Sequence, residues 1–272
     1  MTEQITAELN RLEQEKDIRI LYAVESGSRA WGFASTDSDW DVRFIYIHRP
    51  EWYLSIDNRR DSMDEILPND IDLAGWDLRK ALRLFRKSNP PLLEWLESPL
   101  IYLEQFSTAN RMRELAKESF NPKSCTYHYL SMAGKNYRTY LQTDMVRIKK
   151  YFYVLRPILA CMWIESTNTM APMEFQKMVD AQIHDETLRR EIDHLLERKM
   201  SGEELDKEPR IPILNDFIES RIEHFDSVVQ QYNNQTHIQT ATLDQLFRET
   251  MVEVWGKELE FGRGINNVDS GE

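Results

Sequence analysis

Apolar positions change their period along the chain. Residues 2–16 are polar apart from Ile5, Leu9 and Leu12 at helical spacing, which predicts a surface helix. Largely apolar runs at 18–24 (IRILYAV), 42–47 (VRFIYI) and 71–76 (IDLAGW) are short and bounded by turn residues, which predicts strands. Pro50 opens a short helix, with proline tolerated in its first turn. Residues 57–68 carry no periodic signal. Asp77 reads as the N-cap of a helix LRKALRLFRKS that ends before Asn89-Pro90-Pro91, and LLEWLES and a short strand near 100–103 come next. Beyond Ser107 the period is helical in segments near 109–119, 124–142, 144–166, 172–181, 184–199, 212–232 and 242–259, with a loop from Ser201 to Pro212.

This pattern predicts an α/β unit at residues 1–106, a mixed sheet with helices packed on it. An α-helical region at 107–262 and a disordered tail at 263–272 complete the chain. A cleft between the two folded parts is the natural place for a substrate.

Composition adds limits rather than an answer. The 272 residues are 41% hydrophobic and 29% charged, an ordinary globular balance. A net charge of -12 argues against a broad nucleic-acid surface but leaves room for a local basic site. Cys125 and Cys161 lie in apolar helical patterns and read as buried thiols, and no apolar segment is long enough to span a membrane, so a cytoplasmic protein is expected.

The chemistry concentrates after the first strand, in ESGSRAWGFASTDSDWDVRFI (25–45). Asp39 and Asp41 are two apart, so on a strand they project to the same side and repel unless a cation lies between them. Mg²⁺ takes oxygen ligands, borrowing one or two carboxylates and completing its shell with phosphates and water. A third carboxylate is expected from a neighbouring strand; Asp72, interrupting an apolar run, is the first candidate and Asp70 the fallback. Gly27-Ser28 offers close backbone approach, a hydroxyl and N–H donors to a phosphate. Arg29 either touches a phosphate or pairs with Asp37, and Ser38 is a weaker candidate that also reads as a cap. Taken alone, each feature also reads as an ordinary turn.

Together, Gly27-Ser28 followed by Ser38-Asp39-Trp40-Asp41 opening an apolar strand resembles the signature of the DNA polymerase beta-like nucleotidyltransferase superfamily. GSRAWGF, DSDWDVR, IDLAGWDLRKAL and KSNPPLLEWL resemble more closely a family of predicted bacterial and phage nucleotidyltransferases associated with RNA ligases and RNA repair. The likeness runs to near Leu246. It implies an enzyme that moves an NMP from an NTP, ATP foremost, to an acceptor and releases pyrophosphate. Two Mg²⁺ (or Mn²⁺) ions with the bound NTP are implied, held by Asp39, Asp41 and Asp72, with phosphates on Gly27 and Ser28. The acceptor it points to is an RNA 3′ end, with a protein acceptor or a small molecule as alternatives; a non-catalytic nucleotide sensor is a different class.

A second window supports a nucleotide. Between Lys123 and Pro157 seven Lys and Arg face a single acid, Asp144. His128 and Lys135 fall on one helical stripe, and Lys149, Tyr153 and Arg156 on the next, as the expected far wall of a triphosphate cleft. Against this stands a solvated basic face, or pairing of these cations to Glu elsewhere. Trp31, Trp40, Trp76 and Tyr129 read as core aromatics before base-stacking ones.

Overall fold

The computed structural model describes residues 1–203, 205–232 and 238–256; the expected 263–272 tail lies outside them. Helix α1 (Thr2–Lys16) buries Ile5, Leu9 and Leu12, as its period predicts. Strands β1 (Ile18–Glu25) and β2 (Trp40–His48) pair antiparallel, and the short helix α2 (Pro50–Tyr53) comes next. Strands β3 (Ser62–Leu67) and β4 (Ile71–Asp77) form a hairpin. Helices α3 (Leu78–Phe85) and α4 (Pro90–Leu96) lead to β5 (Ile101–Glu104). The five strands form one mixed sheet in the order β3-β4-β2-β1-β5, with only β2 and β4 parallel.

Strand β3 falls in the stretch that shows no period. Its residues are half-exposed or exposed, because an edge strand packs little and holds its place through the ladder to β4. The hairpin turn places Asp70 in the left-handed region at φ 56, a conformation Asp tolerates better than most residues.

Helices α5 (Thr108–Ser119), α6 (Pro122–Tyr140), α7 (Phe152–Thr167), α8 (Phe175–Gln182), α9 (Glu186–Met200), α10 (Pro212–Val228) and α11 (Thr240–Trp255) make up most of the rest. The expected helix 144–166 is shorter. Met145–Arg147 is instead a strand, β6, paired with β7 (Lys207–Pro209) inside the expected loop, and a 3₁₀ turn at Ile148–Tyr151 precedes α7. The partner strand lies about sixty residues away, so local periodicity carries no trace of it. Helix α7 runs on across Pro157, whose missing N–H leaves the Tyr153 carbonyl without that donor.

The sheet has two faces with separate cores. Val42, Phe44, Tyr46, Ile71 and Leu73 pack under α1. On the other face Ile45, Ile47, Tyr22 and Val24 join α3, α4 and the buried sides of α6 and α7 in one continuous cluster that reaches Trp255. Both cysteines are free and buried, as expected. Among the described residues no helix is long and apolar enough to cross a membrane.

Candidate functional site

Parallel pairing of β2 and β4 puts Asp41 directly opposite Asp72. Their side chains share the face that looks toward the C-terminal helices, and the Arg43 guanidinium bridges them, 2.9 Å from Asp41 Oδ1 and 2.8 Å from Asp72 Oδ2. Arg43 has the same parity as Asp41, so the strand itself delivers it. Asp70 is not part of this pair; its carbonyl accepts from the Trp40 N–H at the hairpin turn.

Gly27 explains itself by what surrounds it. A Cβ built there would stand 1.8 Å from Asp41 Oδ2, so any side chain would displace the carboxylate. The turn is tied to β2 through Glu25, fully buried at the end of β1, whose Oε1 accepts from the N–H groups of Gly27 (3.2 Å) and Asp41 (3.0 Å). The Tyr102 hydroxyl donates to the other Glu25 oxygen at 2.6 Å. Burial pushes the Asp41 carboxyl up from its ordinary range, and Asp72 and Asp39 add to this while Arg43 opposes it. Asp39 is exposed, one residue before β2.

Arg29 does not pair with Asp37. Its guanidinium donates to the carbonyls of Ser38 (2.6 Å) and Asp39 (3.3 Å) and lies 3.6 Å from the Trp40 ring centroid, so it clamps the loop that carries the carboxylates. Ser38 Oγ accepts from the Ser35 N–H at 3.0 Å, and Lys199 on α9 donates to Ser35 Oγ at the same distance. Ser28 is half-buried, with its carbonyl accepting from the Phe33 N–H.

The turn is also plugged into the helices. Phe33 packs 4.8 Å from Phe152 and 5.5 Å from Phe175, and the Phe175 N–H donates to the Trp31 carbonyl at 2.9 Å. Trp31 meets Tyr153 edge-on at 6.3 Å. Tyr153, partly exposed at the start of α7, has its hydroxyl pushed up first by burial and then by the fields of Asp41 and Asp39.

The expected basic wall divides. Arg156 is buried and donates to Glu94 at 2.8 Å, with Trp31 stacked 4.7 Å away; Glu94 also accepts from the Tyr129 hydroxyl. The anionic partner its burial requires is thus internal. Lys149 and Lys135 are exposed and make no ion pair among the described residues. His128 is half-buried, and burial lowers its pKa despite nearby Glu94. Lys150 lies over the rings of Tyr140 and Tyr153, at 4.5 and 4.6 Å.

Sequence reasoning missed Glu25, Arg43, Glu94 and Lys199. A signal existed for Arg43 in its parity and for Glu25 as the charge that ends an apolar strand. Glu94 and Lys199 carry none, since their partners lie tens of residues or more away in the chain.

Among the described residues no three His, Cys, Asp or Glu side chains converge as a ready-made metal cage. Asp41 and Asp72 nonetheless form a paired carboxylate site already bridged by a cation, the donor set a hard divalent ion takes when phosphate oxygens complete its shell.

A mixed sheet that presents paired carboxylates from parallel strands, beside a Gly-Ser turn with no room for a side chain, has the architecture of a polymerase beta-type nucleotidyltransferase. The chain belongs to the RNA repair pathway DNA polymerase beta family, whose model matches residues 1–249. The uncharacterized protein YcgL of Bacillus subtilis (strain 168) is 50% identical over 255 residues, which cover 94% of this chain and 98% of that protein. A nucleotidyltransferase-like protein from Exiguobacterium sibiricum 255-15 aligns over 92% of this chain and 90% of its own, at 11% identity and a TM-score of 0.30. That likeness is too distant to carry weight, and the family assignment rests on sequence.

Proposed function

We infer that the protein transfers an NMP from an NTP, ATP foremost, to the 3′ hydroxyl of an RNA, releasing pyrophosphate. Residues 1–106 carry the transfer site and the helices after them form the opposite wall. The single observation that carries this reading is the register of Asp41 with Asp72, bridged by Arg43 and closed from behind by Gly27.

In the transfer the acceptor oxygen bonds to the α-phosphorus, and the bond from that phosphorus to the α,β-bridging oxygen breaks. The hydroxyl proton leaves to Asp72 or to water. Asp39, Asp41 and Asp72 would hold divalent ions, Mg²⁺ or Mn²⁺, together with the triphosphate, and bound there such ions would supply charge stabilisation at the attacking and leaving oxygens. The protein's own part is positioning, which is most of what phosphoryl transfer asks of a protein. Ser28 offers its backbone N–H and hydroxyl to the phosphates, while Gly27, whose own N–H is held by Glu25, keeps the turn open beside Asp41. Arg29 holds the Ser38-Asp39 backbone in place, and Tyr153, packed against Trp31 of the same turn, lines the helical side of the site. The RNA acceptor is favoured by the family's RNA repair pathway.

The test is to incubate the protein with each α-labelled NTP, Mg²⁺ or Mn²⁺, RNA and cell extract, and to locate the label. Label on RNA 3′ ends is expected. Label on a protein band would replace RNA with a protein acceptor, and NTP binding without transfer of any label would overturn the enzyme reading.

A further inference from the structure

From Leu78 to Asn89 the chain carries five cations, Arg79, Lys80, Arg83, Arg86 and Lys87, and no acid, in a protein of net charge -12. This run is α3 and the turn after it. Leu78, Ala81, Leu82 and Phe85 face the core, and Arg79, Arg83 and Arg86 fall together at helical spacing on the flank beside that stripe. Elsewhere in the fold Arg43, Arg113, Arg156 and Arg198 each reach a carboxylate. The three on α3 and its turn make no ion pair among the described residues: Arg86 donates to the Thr240 hydroxyl at 2.9 Å, Arg83 is exposed, and Arg79 has a buried Nε without a hydrogen-bond partner. Buried Asp77 lies close to Arg79, but its oxygens are already occupied by the Arg79 backbone N–H and the Tyr53 hydroxyl.

These arginines line a cavity of about 400 Å³ between α3 and α11, with Leu82, Leu243 and Phe247 as an apolar floor and Asp244 as its single acid. The Arg79 guanidinium lies 5.7 Å from the Trp52 ring centroid, and Arg59 lies 5.9 Å from the same ring. Trp52 is itself stacked on His48 at 4.1 Å. Cations in a row, next to a partly exposed indole flanked by guanidinium groups, are what a single-stranded nucleic acid asks for: phosphates on the charges and a base on an aromatic or guanidinium plane. An acidic peptide would use the charges and leave the aromatic platform idle. Helical rise separates Arg79 from Arg83 by about 6 Å and Arg83 from Arg86 by about 4.5 Å along the axis, close enough for neighbouring phosphates of one strand.

The strip is separate from the carboxylates. It begins at the far end of β4 from Asp72, about 16 Å along the strand, on the same face of the sheet. We propose that the α3 arginine strip, with Trp52 at its end, is a docking track for the body of a single-stranded RNA. This rests on the reading that the acceptor is RNA, and it assigns the strip to the strand behind the 3′ end.

The test is binding of a labelled single-stranded RNA of about 12 nucleotides, followed by anisotropy without nucleotide or metal. Arg83→Gln with Arg86→Gln, both exposed, is expected to weaken binding roughly tenfold or more and to flatten the salt slope by about 1.4, or 0.7 per lost contact. Unchanged affinity and slope in a variant with wild-type circular dichroism would overturn the track, as would polyglutamate competing as well as RNA. Arg83→Lys with Arg86→Lys is expected to keep most of the slope. RNA binding that depends on the strip, with no label transferred by wild type, would sink the transfer reading alone. Labelled RNA with a strip variant that binds unchanged would sink the track alone.

Discussion

The carboxylate ledge and the helical wall opposite it carry the same mark in the sequence, charged residues at a regular spacing, yet they fold to different ends. On the ledge, spacing became geometry. Residues two apart on β2 point the same way, and the parallel ladder sets Asp72 beside Asp41, so Asp41, Arg43 and Asp72 meet. On the wall, spacing told which side of a helix each cation occupies but not what waits there. Arg156 turned inward to Glu94, while Lys149 and Lys135 faced solvent. A strand's neighbours are fixed by its ladder; a long helical side chain chooses among whatever tertiary contacts come within reach.

The largest effect expected is on the ledge. Asp39→Asn with Asp41→Asn should lower label transfer by at least ~10²–10³-fold with the circular dichroism spectrum unchanged. Gly27→Ala should approach the same loss, because its Cβ would collide with Asp41 Oδ2. Transfer at the wild-type rate in either variant would remove the ledge from the chemistry.

The wall should answer in stability instead. Arg156→Ala leaves Glu94 in the core without its countercharge and should cost about 3–5 kcal/mol in urea unfolding, with Arg156→Met, Glu94→Leu and Tyr129→Phe together recovering most of it. A stable Arg156→Ala protein whose NTP requirement rose would instead make Arg156 a phosphate ligand and erase the contrast. A smaller change is expected from Lys149→Ala: about a fivefold higher NTP requirement, with melting temperature unmoved.

The mildest test is pH. Burial raises the Asp41 pKa above its ordinary 3.8, so the folded state holds that proton more tightly than the unfolded chain. Stability from this group is therefore lost as pH climbs from 3.8 through the folded value and is constant above it. Asp41→Asn should abolish that part of the slope in urea unfolding across the acid range. Arg43→Gln, which removes the opposing charge, should extend it to higher pH.

Much of the ledge was legible. β1, β2 and β4 announce themselves as apolar runs, and an Asp inside the third of them marks Asp72 ahead of Asp70, which the hairpin turn claims. The edge strand β3 was not legible, since an edge has little to bury and hence no apolar period. Nor was β6, which exists only because β7 pairs with it. Arg29 shows the same limit inside the site: the sequence offered a phosphate or Asp37 as its partner, and the fold sets its guanidinium on the Ser38 and Asp39 carbonyls rather than on Asp37.

By itself the sequence determined the features set by neighbours along the chain. Those are which apolar runs are strands, where a turn needs glycine, and where positive charge gathers in an acidic protein. Tertiary structure alone decided which charges meet. Pairing across strands and helices brings together residues tens of positions apart, and the free energy of a buried charge depends on the partner it finds there. Arg43 between two aspartates and Arg156 against Glu94 are the same residue type in opposite circumstances, and only the fold separates them.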